Sequence, residues 1–292
     1  MSAGVIFQEA LRMLNRYSFP EVSSRDLLAA LEAGRPGPLA FLYDAGVEAK
    51  LPRHTLLRRA AAIYLGFCAV NLCDDLTDAE CTYLSDPFHS GPCTQAILHH
   101  VFFALLAEEH FPSAVLTAVV HDLIAAGGAQ HTEMHTRQWS APVFREVATG
   151  IAGRPWSAYL RILWHGTTFA DRAAVIGMHV GQATLLWEDI SSGDARYATL
   201  PTAEKHEIVT WATTIIDTLR KENLRCMKTT LQVISTMLTR EQENLTNMRR
   251  SPGDTQTTIC VPLSGLMSHR PMQPLGGEGA AGDDARSETL TP

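Results

Sequence analysis

The chain has 292 residues, 46% of them hydrophobic and 19% charged, which is enough to bury one large core or two small ones and reads as a globular protein. A formal charge of -7, with Lys and Arg dispersed along the chain, excludes the basic stripe of a nucleic-acid footprint. No run of about 18 apolar residues is evident and Met1 to Arg16 is mixed and amphipathic, so neither a membrane span nor export is expected, and the cytoplasm is the expected compartment.

In chain order, apolar residues recur at helical intervals over Val5–Tyr17, Ser24–Ala33, Leu56–Asp78, Cys93–Glu109, Ala114–Gly127, Trp156–Asp189, Ala203–Asn223 and Lys228–Asn247. Ser24 is the expected N-cap of the second segment. Breaks are expected at Arg35-Pro36-Gly37-Pro38, from Ser85 to Pro92, at Gly127-Gly128, at Gly153-Arg154-Pro155 and at Ser192-Gly193. Strand signals are nearly absent, so the expected fold is all-α: a single-domain bundle of antiparallel helices, about eight to ten of them, over residues 1–250. The remainder, 251–292, is rich in Pro, Gly, Ser and Thr without helical periodicity and is expected to be a disordered tail. Six cysteines, at positions 68, 73, 81, 93, 226 and 260, form no CxxC pair and are expected to be reduced.

The chemistry is concentrated in Cys73-Asp74-Asp75-Leu76-Thr77-Asp78, at the end of an apolar run. On a helix Asp74 and Asp78 share a face with Asp75 beside them, and clustered carboxylates without Cys or His partners favour Mg²⁺, which keeps waters and completes its shell with phosphate oxygens. A second acidic group, Glu188-Asp189-Ile190-Ser191-Ser192-Gly193-Asp194, ends a later helix. Two such helix ends facing one volume could hold a cluster of Mg²⁺ ions that a diphosphate bridges as a stabilised leaving group. Each half also has an ordinary reading as a solvated helix face. The segment His131-Thr132-Glu133-Met134-His135 offers a competing pair of zinc ligands one helical turn apart, in the order HxExH rather than HExxH.

Asp74-Asp75-Leu76-Thr77-Asp78 matches in full the DDxxD motif of the class I isoprenoid synthases, and the chain from about Arg53 to Arg225 resembles that family, in particular its polyprenyl diphosphate synthases. Gly181-Gln182 to Asp189 resembles the helix carrying the second motif, with Glu188 and Asp189 at its paired acids. Several departures stand out. Ser192 occupies the third acidic position, leaving Asp194 two residues further on. Measured against the terpene-cyclase triad, Arg196 stands where a glutamate is expected. The Arg-Arg-Gly that follows the first motif in elongating enzymes is missing, since Ala79 to Gly91 contains no Arg or Lys. Ala49-Lys50-Leu51-Pro52-Arg53 is the nearest counterpart of the upstream Gly-Lys-Arg, and His165-Gly166-Thr167 replaces the Lys-Thr of a later helix.

The resemblance implies an all-α fold around a central cavity, an allylic prenyl diphosphate as substrate, up to three Mg²⁺ ions, and a homodimer. It implies catalytic roles for Asp74, Asp75, Asp78 and Asp189 and metal contacts from Asp74, Asp78, Glu188, Asp189, Ser192 and Asp194. Substrate contacts would come from Arg58, Arg59, Phe67, Asn71, Arg172, Gln182 and Lys228, with Phe102, Phe103, Phe169 and Trp187 as further wall candidates and Val70 and Asn71 as candidates for setting cavity depth. As ordinary residues, Arg58 and Arg59 would instead make surface ion pairs and Phe102 and Phe103 would be core. Ionisation followed by cyclisation or elimination is favoured over chain elongation, because the cations that would hold a second diphosphate are missing. Condensation with isopentenyl diphosphate or another acceptor is the alternative, and a non-catalytic partner subunit is the third reading.

Overall fold

Every regular element among the described residues, 2–35 and 37–250 of the computed structural model, is helical, as the 3.6-residue periodicity predicts. The expected tail over 251–292 lies outside the described residues. The helices are α1 (Ser2–Leu14), α2 (Glu21–Gly34), α3 (Leu39–Glu48), α4 (Arg53–Thr77), α5 (Pro87–Glu108), α6 (Ser113–His135), α7 (Ala141–Ala148), α8 (Arg154–Leu163), α9 (Ala173–Ser192), α10 (Ala195–Ala198), α11 (Thr202–Lys221) and α12 (Lys228–Arg250). A π-helical segment, Thr149–Gly153, joins α7 to α8 with no intervening loop, so the break expected at Gly153-Arg154-Pro155 does not form, and Pro155 is accommodated at the start of α8; short 3₁₀ turns lead into α9 and α12.

Proline sets most of the starts. Pro20, Pro52, Pro112 and Pro201 each stand in extended conformation immediately before a helix, where the fixed φ and missing N–H cost nothing. The expected cap Ser24 therefore lies inside α2, its N–H bonded to the Pro20 carbonyl at 2.9 Å. α5 begins earlier than expected, at Pro87, because the Asp86 side chain accepts the His89 N–H and Pro92 falls too close to the helix start to break it. α6 runs through Gly127-Gly128, also an expected break. The expected single run Trp156–Asp189 is cut into α8 and α9, where Gly166 turns the chain at φ 74°.

α4 is apolar nearly all round, from Ala60 to Leu65, and is surrounded by α1, α2, α3, α5 and α8. By length and hydropathy it could cross a bilayer, but 61% of its most apolar window is buried inside the bundle, as befits a core helix. Tyr64, Phe102, Tyr159 and Trp164 fill the centre with under 2% exposure, each contributing about 1.5–3 kcal/mol on the scale for a buried large side chain. Tyr64 satisfies its hydroxyl on the Leu31 carbonyl, and Trp164 Nε1 donates to the Ala45 carbonyl at 3.0 Å. Cys68, Cys73, Cys81, Cys93 and Cys226 are free thiols.

Two contacts fix the register of the helices that matter. A Cβ on Gly181 of α9 would lie 2.2 Å from the Ala152 carbonyl oxygen, and one on Gly150 would lie 2.1 Å from the Ala129 Cβ of α6. The π segment is thus pressed against both α6 and α9, and Gln182 Nε2 donates to its Thr149 Oγ1 at 2.8 Å. One end of the bundle gathers the start of α4 and the ends of α3 and α8: Arg59 donates to the carbonyls of Leu163 and His165, and Glu48 accepts the N–H groups of Arg225 and Cys226. The other end gathers the C-termini of α4, α6 and α9, whose negative dipole ends converge.

Candidate functional site

Asp74, in the last turn of α4, is half-buried and accepts a hydrogen bond from Gln130 Nε2 of α6 at 2.8 Å. Burial, reinforced by the negative charges of Asp78 and Glu133, pushes its carboxyl up to about 7, with Arg196 and Gln130 pulling the other way. Asp75 turns elsewhere. Its Oδ2 accepts from Asn71 Nδ2 at 2.8 Å and from the Tyr83 hydroxyl at 2.7 Å, while its carbonyl accepts the N–H groups of Glu80 and Cys81. Asp75 and Asn71 therefore buttress the loop that follows α4.

Asp189, in the last turn of α9, is completely buried. Its Oδ1 accepts from Arg196 Nη2 at 3.0 Å, and its Oδ2 has no partner. Burial pushes this carboxyl up to about 7; Arg196 opposes the shift, while Asp194, Glu188 and Glu133 add to it. Gly193, left-handed at φ 71°, ends α9 and reverses the chain so that Arg196 folds back over it. The same guanidinium donates through Nη1 to Glu133 and through Nε to Asp194 Oδ1, the latter at 3.0 Å. Glu133 keeps its second oxygen, Oε2, buried and unpartnered, and burial raises its pKa despite Arg196. Glu188 and Ser192 are exposed at the rim.

The structure thus brings Asp74, Asp78, Asp189 and Asp194 to one centre and adds Gln130, Glu133 and Arg196. Gln130 and Glu133 lie three residues apart on one face of α6; that spacing is the signal available in the sequence, inside the segment read for its histidines. The rings of His131 and His135 stack at 4.3 Å on the exposed side while Glu133 turns inward, so the three do not share a metal.

Other candidates stand apart. Positions 58 to 74 span about 24 Å of helix, which puts Arg58 and Arg59 at the opposite end of α4. There Arg58 pairs with Glu109 at 2.6 Å, and Arg59 lies over the Phe111 ring. Arg172 pairs with Glu222 at 2.6 Å at the start of α9 and covers Phe169. Lys228 lines a groove of about 390 Å³ between α11 and α12. Phe67 abuts Gly37, Phe102 is core, and Phe103 is 37% exposed. Gln182 binds the π segment, and Trp187 packs against the core.

The donor chemistry suits a hard divalent cation in part. Asp74, Asp78 and Glu133 offer oxygen donors, and two buried oxygens, on Glu133 and Asp189, lack a proton donor. Among the described residues no three His, Cys, Asp or Glu side chains are already gathered in metal-binding geometry. On the second-motif side, Arg196 engages Oδ1 of Asp189 and Oδ1 of Asp194, two of the carboxylates that the sequence assigns to metal.

No family model and no curated protein sequence matches this chain. Solved structures do. It is similar to an isoprenoid synthase family member from Thermotoga neapolitana, with a TM-score of 0.61 and 15% identity over 86% of this chain and 99% of that one. It is also similar to a geranyltransferase from Legionella pneumophila, with a TM-score of 0.59 and 16% identity over 83% and 96%. A geranyltranstransferase from Thermotoga maritima gives a TM-score of 0.59 and 14% identity over 80% and 97%. With its helix order and its two acidic helix ends brought together, the chain adopts the all-α fold of the isoprenoid synthases.

Proposed function

We propose that the protein binds an allylic prenyl diphosphate at the acidic end of the bundle and expels its diphosphate, the resulting cation then cyclising or losing a proton. The observation that carries this reading is the convergence of Asp74 and Asp189, from two helices far apart in sequence, on one buried centre where both are pushed up to about 7. Mg²⁺, up to three ions held by Asp74 and Asp78 with help from Glu133, would neutralise the charge developing on the leaving diphosphate. Gln130 fixes the Asp74 carboxylate, and Asp75, tied to Asn71 and Tyr83, fixes the loop beyond it.

Condensation with a second diphosphate is the other reading, favoured by the transferase names of two structural neighbours. It is disfavoured by the engagement of Arg58, Arg59 and Arg172 in contacts at the far end of the bundle. A homodimer, as the family resemblance implies, belongs to the same reading. Incubation with a series of allylic diphosphates and Mg²⁺, with and without isopentenyl diphosphate, tests the proposal. Hydrocarbon or alcohol from one substrate, abolished in Asp74→Ala, supports it; longer diphosphates formed only with isopentenyl diphosphate replace it with condensation. Absence of diphosphate release under every condition refutes both.

A further inference from the structure

The second acidic group carries a cation of its own. Arg196 is 18% exposed and is ringed by three carboxylates from three elements: Glu133 from α6, Asp189 from the last turn of α9, and Asp194 from the turn before α10. Each of its three nitrogens engages a different acid, Nη1 on Glu133, Nη2 on Asp189 and Nε on Asp194. The Asp194 side chain also accepts the backbone N–H of Arg196 at 2.8 Å, which holds the residue's main chain in place as well as its head. A guanidinium does not lose its proton in a protein, so this neutralisation is permanent, whereas a metal ion comes and goes.

We infer that Arg196 is the resident cation of the second acidic group, standing in place of a metal ion, so that divalent cations bind this chain on the Asp74 and Asp78 side and leave Asp189 to the arginine. To reach Asp189 Oδ1, a metal would first have to break charge-assisted bonds and push the guanidinium out of a centre with little room for it. Three carboxylates share one positive charge, so the group keeps excess negative charge, and Asp74 and Asp78 add to it across Glu133. That excess faces the first motif, where a divalent ion has carboxylates to bind and no arginine to displace. Asp189 is fully buried, and its Oδ2 has no hydrogen-bond partner.

The inference rests on metal binding at the first motif, and the test separates the two. Mn²⁺ binding to the full chain is measured by electron paramagnetic resonance for the wild type, Asp74→Asn/Asp78→Asn, Asp189→Asn and Arg196→Gln. The expected result is wild-type binding that is lost in Asp74→Asn/Asp78→Asn and unchanged in Asp189→Asn, with about one further ion bound per chain in Arg196→Gln. Because Arg196→Gln strips the counter-charge from buried acids, the Asp189→Asn comparison, made with Arg196 in place, decides the matter if that variant does not fold. A fall in wild-type Mn²⁺ binding on Asp189→Asn overturns the inference while leaving the proposed function standing, as does an unchanged count in a folded Arg196→Gln protein. Binding by Arg196→Gln but not by the wild type supports the resident arginine and removes metal from the proposed function. No binding by either overturns both.

Discussion

Asp74 makes the metal-free protein lose stability as pH rises, by an amount that follows from its surroundings. Its carboxyl titrates near 3.8 when unconstrained and is pushed up to about 7 in the fold. A raised folded pKa means that the folded state binds more protons than the unfolded state between those values. The contribution is complete below about pH 4 and disappears as pH rises through 7. Between pH 5 and pH 8 this amounts to about 2.5 kcal/mol for Asp74, a fall in Tm of about 5–10 °C for a chain of this size. Asp74→Asn keeps an oxygen for Gln130 Nε2 but carries no charge, so it should be more stable than the wild type at pH 8 and should lack this component of the slope. His99, His165 and His179, whose pKa values are lowered by burial, act in the opposite sense as pH falls. They are common to both proteins, so the difference between wild type and variant isolates Asp74. Thermal unfolding followed by circular dichroism in EDTA, at steps from pH 5 to pH 8, measures it. A variant that tracks the wild type to within about a degree at every pH would refute the account of Asp74 as a buried acid crowded by Asp78 and Glu133.

Mg²⁺ added at pH 8 should raise the Tm of the wild type and leave Asp74→Asn/Asp78→Asn unmoved, because the ion offsets the mutual repulsion of carboxylates that the variant no longer has. Tyr83→Phe removes a 2.7 Å bond to a carboxylate and should cost about 1.5–3 kcal/mol in urea unfolding, with a smaller loss of diphosphate release than Asp74→Ala. Gly181→Ala drives a Cβ against the Ala152 carbonyl and should cost about 1–3 kcal/mol in the same assay, with reduced turnover because Asp189 lies two turns further along the same helix. Arg58→Ala breaks a half-exposed pair about 24 Å of helix away from Asp74 and should cost about 0–1 kcal/mol, with KM for the allylic diphosphate unchanged; a clear rise in KM would place the diphosphate elsewhere.

The helical class, the long core helix and the acidic end of each motif helix were legible in the sequence because they rest on local periodicity and on residue type. What escaped it was direction. Asp75 belongs to the same DDxxD run as Asp74, yet it turns to Asn71 and Tyr83, and no pattern within the run announces this. Arg58 and Arg59 looked suited to an anion, but helix rise alone carries them to the opposite end of α4. Glu133 was hidden between two histidines whose i, i+4 spacing suggested zinc, and its i, i+3 relation to Gln130 gains meaning only once α6 is set against α4 and α9. Arg196 was visible as a missing glutamate; that it fills the acidic centre depends on the left-handed turn at Gly193. The missed helices α3, α7 and α10, which take the total beyond the eight to ten expected, are short and owe their formation to packing rather than periodicity.

That turn at Gly193 also bears on how the protein folds. Asp189 and Arg196 are joined by a handful of residues around a turn that Gly adopts without strain, so their pairing requires closing only a short loop, an event of tens of nanoseconds. Glu133 and Asp74 must be brought in from much more distant parts of the chain. The most deeply buried acid among the described residues thus has its cationic partner close by in the chain, whereas the acids of α4 and α6 meet it only when those helices pack against α9.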